Sequence, residues 1–314
     1  MKVFVAGATG VLGRRVVAQF TANGHTVLCL SRNPENVKLI RSLGGEPRHA
    51  DLFDAASLVK AAAGSEVVIR AATAIPVKLR TSAKDWAMND RIRREGTKAL
   101  VEATAKVGAH AFFQESVAWA VGNPDGTSYS EDAAPSNDER LASALDGERI
   151  AREAGERDGF AAGALRFGAF YCADAWHTRI MAESLAARKP TMIGPGTNVW
   201  SLIHSDDAAS AFVNAAERPR SGAWHIVDDE PVALKVYLAA MAERLQASEP
   251  RHASKTLARL AFGRYIVDVL TGSFVTTNAR FRKDFGWAPQ YPTYRSGLDQ
   301  ISKLWKEEGF PSKK

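Results

Sequence analysis

The chain has 314 residues, 46% of them hydrophobic and 24% charged, which suits a globular protein with a sizeable core in one large domain or two close-knit ones. The surplus of +6 is modest and scattered, no basic run is interleaved with aromatics, and the terminal Lys313 and Lys314 read as a solvated tail, so no nucleic-acid partner is expected. No apolar stretch approaches the roughly 18 residues needed to span a bilayer, and the first apolar run already begins at residue 3. No membrane contact and a cytoplasmic location are therefore expected. Cys29 and Cys172 form no disulfide framework or zinc spacing, and the seven histidines are dispersed.

In chain order, a short apolar run at 3–5 leads into Gly7-Ala8-Thr9-Gly10-Val11-Leu12-Gly13, and a helical pattern follows to residue 22, with Val16, Val17 and Phe20 on one stripe. Strand, glycine turn and helix form the context that a dinucleotide fingerprint requires. Gly7 allows a sharp turn off the strand, Gly10 lets a pyrophosphate approach the backbone, and Gly13 lets the helix pack close to the sheet. The free N–H groups of Val11, Leu12 and their neighbours, with the helix dipole, suit two phosphates. Further apolar runs at 27–30, 47–50, 67–69, 111–113 and 161–165 alternate with helical patterns at 34–43, 55–63, 85–107 and 139–157. This alternation implies an α/β fold, a doubly wound parallel sheet with its ligand crevice at the carboxyl ends of the strands.

The strand ends carry the informative residues. Strand two ends Ser31-Arg32-Asn33, where an NAD-binding fold usually places a carboxylate for the ribose hydroxyls. Ser31, Arg32 and Asn33 would instead donate to a 2′-phosphate, and the guanidinium fork matches phosphate geometry. NADP(H) is favoured on this ground, with NAD(H) as the alternative. Asp51 and Leu52 at the next strand end can hydrogen-bond and pack against adenine, while Asp54 is the better helix cap. Ala71, Ala72 and Thr73 after strand four let a flat ring and a ribose lie against the backbone.

At this point the sequence resembles the short-chain dehydrogenase/reductase superfamily, in its extended and atypical, epimerase/dehydratase-like branch, over nearly the whole chain. The glycine loop matches, as do Glu95 to Ala103, Phe112 to Gly122 with Ser116, Leu165 to Tyr171, Gly194 to Asn198 with Ser201 to Ala209, and Asn278 to Arg280 with Phe285 to Pro289. The resemblance implies a Rossmann domain over 1–170 and a smaller, mostly helical substrate-binding cap over 171–314, with a return strand near 200–227 associated with the Rossmann core. It adds Phe167 to the cofactor residues. Helical patterns at 176–187, 205–216, 234–245 and 294–308, with strands at 200–203 and 224–227, agree with such a cap. Asp206 and Asp207 sit at a helix start and read as structural. Extended members are often dimers, which leaves a homodimer open.

The family's chemistry rests on serine, tyrosine and lysine. The lysine lowers the phenol's pKa from about 10 and holds the ribose. Ser116 fills the serine position, but Arg140 falls where the tyrosine is expected and Ala144 where the lysine is expected. Proton donors are then sought among Ser116, Glu115, Tyr129, Tyr171, Asp174 and His177. Ser116, Tyr129 and Tyr171 are the catalytic candidates. Tyr171 is expected beside the nicotinamide or substrate, and Trp119, Tyr171, Trp176 and Trp200 suggest an apolar or aromatic substrate. The leading expectation is an NADP(H)-dependent oxidoreductase of a small organic molecule, acting as a reductase. The rivals are a nucleotide-sugar-type epimerase with tightly held NAD(P), and a non-catalytic NADP(H)-binding sensor. Gly-x-Ser-x-Gly, His-Glu-x-x-His and Gly-Lys-Ser/Thr motifs are absent, which argues against a hydrolase elbow, a zinc protease and an ATPase.

Overall fold

The computed structural model describes residues 1–77 and 80–311, so Lys313 and Lys314 lie outside it. Seven strands form the main sheet: β1 (Lys2–Ala6), β2 (Thr26–Ser31), β3 (Glu46–His49), β4 (Val67–Arg70), β5 (Ala111–Val117), β6 (Ala161–Phe167) and β7 (Gly222–Ile226). Their order is β7-β6-β5-β4-β1-β2-β3, with every neighbouring pair parallel. The order reverses direction between β1 and β4, and the glycine turn leaves β1 at that switch point.

The two-residue period of the strands sends alternate side chains to opposite faces. Val3, Val5, Phe113, Leu165 and Phe167 pack toward the helices Val11–Ala22 and Ser205–Glu217. Phe4, Val68, Phe112 and Ala162 pack toward Ala55–Ala61, Thr97–Val107 and Ala142–Asp158. Burying each such Val or Phe stabilises the fold by roughly 1.5–3 kcal/mol. The helical pattern at 85–107 resolves into Ala83–Arg91, a π-helical turn Ile92–Gly96, and Thr97–Val107.

The second half forms a cap and also returns to the main sheet. Trp176–Ala186, Leu234–Arg244 and Tyr294–Glu308 share an apolar cluster with Tyr171, Tyr237, Tyr294 and Trp305. The helix Ser205–Glu217 covers one face of the sheet, and β7 supplies its edge. A small sheet stitches the halves together in the order Val232–Ala233, Val199–Trp200, Ser273–Val275, Asp125–Ser128, its last member coming from the first half. No helix among the described residues is long and apolar enough to cross a membrane.

Candidate functional site

The glycine turn is built by close approach. Gly7 has φ +98°, and a Cβ placed there would lie 2.4 Å from the Ala72 backbone nitrogen. A Cβ on Gly13 would lie 1.9 Å from the Gly7 carbonyl oxygen, so the helix can meet the turn only without a side chain. Gly10 differs: it is exposed, and a Cβ there would meet nothing closer than 3.6 Å. Gly10 is the N-cap residue of Val11–Ala22, with no side-chain cap and no acidic residue in the first turn. The N–H groups of that turn therefore face the crevice in company with a positive dipole end. This cradle fits a diphosphate. Leu12 and Ala8 point into the core, so Leu12 can offer only its backbone.

At the end of β2, Ser31 is buried and donates to the Asn33 carbonyl oxygen at 3.0 Å. Asn33 is engaged by its own turn, accepting from the Glu35 N–H at 2.9 Å and donating to the Glu35 carboxylate at 3.2 Å. Arg32 is exposed, and no carboxylate among the described residues pairs with it. Of the three polar residues, Arg32 alone presents an uncommitted side chain. Asp51 closes its own turn by accepting from the Phe53 N–H at 3.1 Å, and Asp54 caps Ala55–Ala61 as expected. Leu52 is a correction. Its side chain is buried against Gly96, which leaves it no free face for adenine. Ala72 forms the wall behind Gly7, with Thr73 exposed beside it and Ala71 in the core. Phe167 is likewise corrected: it is fully buried, 5.2 Å from the Phe170 ring and 5.6 Å from Phe212.

The expected catalytic residues do not converge. Ser116 donates to Glu148 Oε1 at 2.6 Å, one helical turn beyond the lysine position, while Arg166 grips both oxygens of Glu148. The neighbouring Val117 lies in an apolar cluster with Ala120, Leu141 and Ala144. The lysine position is thus filled by an aliphatic side chain, and the tyrosine position by Arg140, whose guanidinium stays charged and gives up no proton near neutral pH. Tyr171 is a core residue: its hydroxyl donates to Asp228 Oδ2 at 2.8 Å, and its ring occupies the space left by Gly297. Burial and the Asp228 charge push its pKa up, the wrong direction for a base. Tyr129 packs its ring over Gly122 and edge-on to His225 at 5.6 Å, and burial raises its pKa as well. Asp174 is locked to Arg14 and Arg15 across the helix Val11–Ala22, and His177 is bound to the Phe170 carbonyl at 2.7 Å. The expected role for Tyr171 beside the nicotinamide is overturned by this packing, because the phenol has no route to the crevice.

A cavity of about 500 Å³ lies between the segments that follow β5 and the 268–274 stretch, lined by Trp119, Pro124, Asn137, Arg140, Val269 and Phe274, with Asp138, Glu139 and Asp268 also in its wall. Trp119 and Phe274 meet at 5.7 Å across it. Arg140 donates to both oxygens of Asp138, at 2.6 and 3.0 Å. Of the four aromatics expected at the substrate, Trp119 lines this cavity. Trp200 donates to the Gly272 carbonyl within the small sheet, Trp176 stands edge-on to His177, and Tyr171 is in the core. Sequence reasoning missed Arg70, Arg93, Glu148 and Arg166, all largely buried near the carboxyl ends of β4 to β6. A charged residue closing an apolar strand, as Arg70 and Arg166 do, was the available signal.

Parallel sheet, glycine cradle at the switch point and cap define a dinucleotide-binding oxidoreductase of the extended short-chain dehydrogenase/reductase type. The chain belongs to the NAD dependent epimerase/dehydratase family, whose model matches residues 3–227. It is 32% identical over 311 residues to a 3-diazoavenalumate denitrifying reductase of a Streptomyces species, covering 95% of this chain and 99% of that one. Its fold is similar to that of the human epimerase family protein SDR39U1 solved with NADPH, at TM-score 0.82 and 19% identity over 96% of this chain and 99% of the other. It is also similar to UDP-glucose 4-epimerase from Thermotoga maritima, at TM-score 0.80 and 17% identity over 98% and 99% of the two chains. The family binds nicotinamide dinucleotides, and the cradle described here fits one.

Proposed function

We propose that this protein is an NADPH-preferring reductase of a small conjugated or aromatic electrophile bound in the cavity beside Trp119 and Phe274. The observation that carries the reading is the lack of a proton donor at the usual positions: Arg140 stands at the tyrosine's place, and Ala144 at the lysine's, in an apolar cluster with Val117 and Leu141. When bound, the dinucleotide supplies the hydride. Helix N-terminus and Gly10 would hold its diphosphate, and Arg32 would hold the 2′-phosphate. Trp119 and Phe274 would orient a flat acceptor and exclude water from one face.

A positioned general acid contributes roughly 10²–10⁴-fold to a reaction that needs a proton in the transition state. A site without one favours acceptors whose product spreads or loses its negative charge unaided. Quinones, enones and aryl diazo compounds are of this kind; simple ketones are not, because an alkoxide must be protonated as it forms. The diazo compound in the name of the Streptomyces reductase supports this class of acceptor. An epimerase that oxidises a carbinol on its nicotinamide and reduces it again needs a group to take and return the hydroxyl proton, which Arg140 and Ala144 do not provide. The test is NADPH oxidation with a panel of quinones, enones, aryl diazo compounds and simple ketones. Turnover of the conjugated acceptors with ketones at least about 100-fold slower is expected. Ketones reduced as fast as quinones contradict the reading, and cofactor binding without turnover on any acceptor favours the sensor.

A further inference from the structure

A second group of polar side chains is buried at the same end of the sheet and plays no part in the reading above. Arg70 closes β4, Glu115 lies near the end of β5, and Arg93 reaches them from the π-helical turn Ile92–Gly96. The three side chains are at most 5% exposed. Arg70 is well supplied with acceptors: Gln114 Oε1 at 3.0 Å, the Ala72 carbonyl at 3.1 Å and the Glu115 carbonyl at 2.7 Å. Arg93 is not. Its contact with Glu115 Oε1 is ionic, at 3.5 Å, and its Nε is buried with no hydrogen-bond partner among the described residues. Glu115 Oε2, 3.7 Å from Arg70, accepts none either.

Such an arrangement is costly to a folded chain. Burying a guanidinium N–H without an acceptor forfeits its hydration, as at Arg93 Nε. Two arginines face one carboxylate, since Glu148, the other acid acting on Arg70, is already matched by Arg166. Arg70 alone would balance Glu115. Arg93 is therefore a side chain whose removal leaves the local charges even.

Its position says what it faces. Ala72, which accepts from Arg70, is the residue against which Gly7 packs. A dinucleotide with its diphosphate at β1 and its adenosine end at β2 must extend its other half over β4 and β5, where the Arg93 group lies. Resting on that cofactor reading, we infer that Arg93 holds the nicotinamide-riboside half. Its guanidinium donates to that half's hydroxyl or amide oxygens, and Glu115 accepts from its hydroxyl groups. Arg93 thereby takes over the ribose-holding role that the family resemblance assigns to a lysine and that Ala144 cannot perform.

The test uses the whole chain carrying Arg93→Met or Arg93→Lys. Affinities are measured for NADPH and NADH and for the adenosine-half fragments adenosine 2′,5′-bisphosphate and AMP, together with the melting temperature of the free protein. Arg93→Met is expected to weaken the better dinucleotide about tenfold or more, the loss of one charge-assisted hydrogen bond or two. It should leave the matching fragment unchanged within about twofold and the free protein as stable as before or more so. Arg93→Lys should restore much of the dinucleotide affinity. Two results overturn the inference alone: unchanged dinucleotide affinity in Arg93→Met, or a lowered melting temperature with dinucleotide and fragment weakened alike. Failure of the unaltered protein to bind either dinucleotide overturns the cofactor reading beneath it as well.

Discussion

Gly10 and Gly13 stand three residues apart, yet an added methyl group would meet different surroundings. At Gly10 the backbone is ordinary, with φ −70°, and the nearest atom is 3.6 Å away. Gly10→Ala should therefore leave the melting temperature of the free protein nearly unchanged while weakening NADPH at least about tenfold, because the methyl group takes the space a phosphate needs. Equal affinity in the variant would show that the cradle is not the diphosphate site. Arg32→Glu should weaken NADPH roughly 10- to 100-fold, as expected for a charge-assisted phosphate contact, and NADH much less. Equal losses for both would refute the phosphate assignment. The glycine turn and the exposed charge of Arg32 were legible in the sequence, because they depend on backbone geometry and on the residue type at a strand end. The roles of Tyr171 and Phe167 were not. Each is the last residue of a strand, but which way a side chain turns is decided by Gly297 making room for one ring and Phe212 packing on the other.

At the scale of elements, the contact of the helix Val11–Ala22 with β1 is set by Gly13. Its Cβ would fall 1.9 Å from the Gly7 carbonyl, inside any tolerable contact, and the clash is with backbone. Gly13→Ala should destabilise the protein by roughly 1–3 kcal/mol, the usual cost of overpacking, and abolish dinucleotide binding together with it. A denaturant midpoint equal to the parent's would contradict the close-packed turn. The alternation of strands and helices through residue 167 was readable because parallel strands buried on both faces form plain apolar runs. Strands such as Asp125–Ser128, Arg251–Ala253 and Ser273–Val275 were missed. With three or four residues and none of them fully buried, they are held by tertiary contacts and leave no periodic trace. The helix Ala142–Asp158 was placed, and the resemblance showed the tyrosine and lysine missing from its start. That Val117 clusters with Ala144 at that start, while Ser116 bonds Glu148 one turn further on, is revealed only by the packing.

For the whole molecule, a buried acidic group ties the main sheet to the cap. Asp228 accepts from the Tyr171 hydroxyl and from the His204 N–H, and burial pushes its pKa up to about 8. In the unfolded chain an aspartate ionises near pH 4, so folding takes up a proton between about pH 4 and 8, and stability falls as pH rises through that window. Asp207, pushed by burial to about 6, acts in the same direction over its lower part. His204 acts oppositely. Burial lowers it to about 4, so the unfolded chain holds the extra proton up to about pH 6.5, and stability gains as pH rises to that point. Above it Asp228 acts alone of the two. The melting temperature should therefore decline from about pH 6.5 to 8.5 in the parent protein, and Asp228→Asn should flatten the decline; an equal decline in the variant would contradict the assignment.

Each cofactor contact proposed above requires that the crevice at the switch of β1 and β4 receive a nicotinamide dinucleotide with its diphosphate on Gly10. Isothermal titration of the purified chain with NADPH and NADH tests it most directly. Saturable binding of one dinucleotide per chain is expected, tighter for NADPH. No heat of binding with either would contradict it.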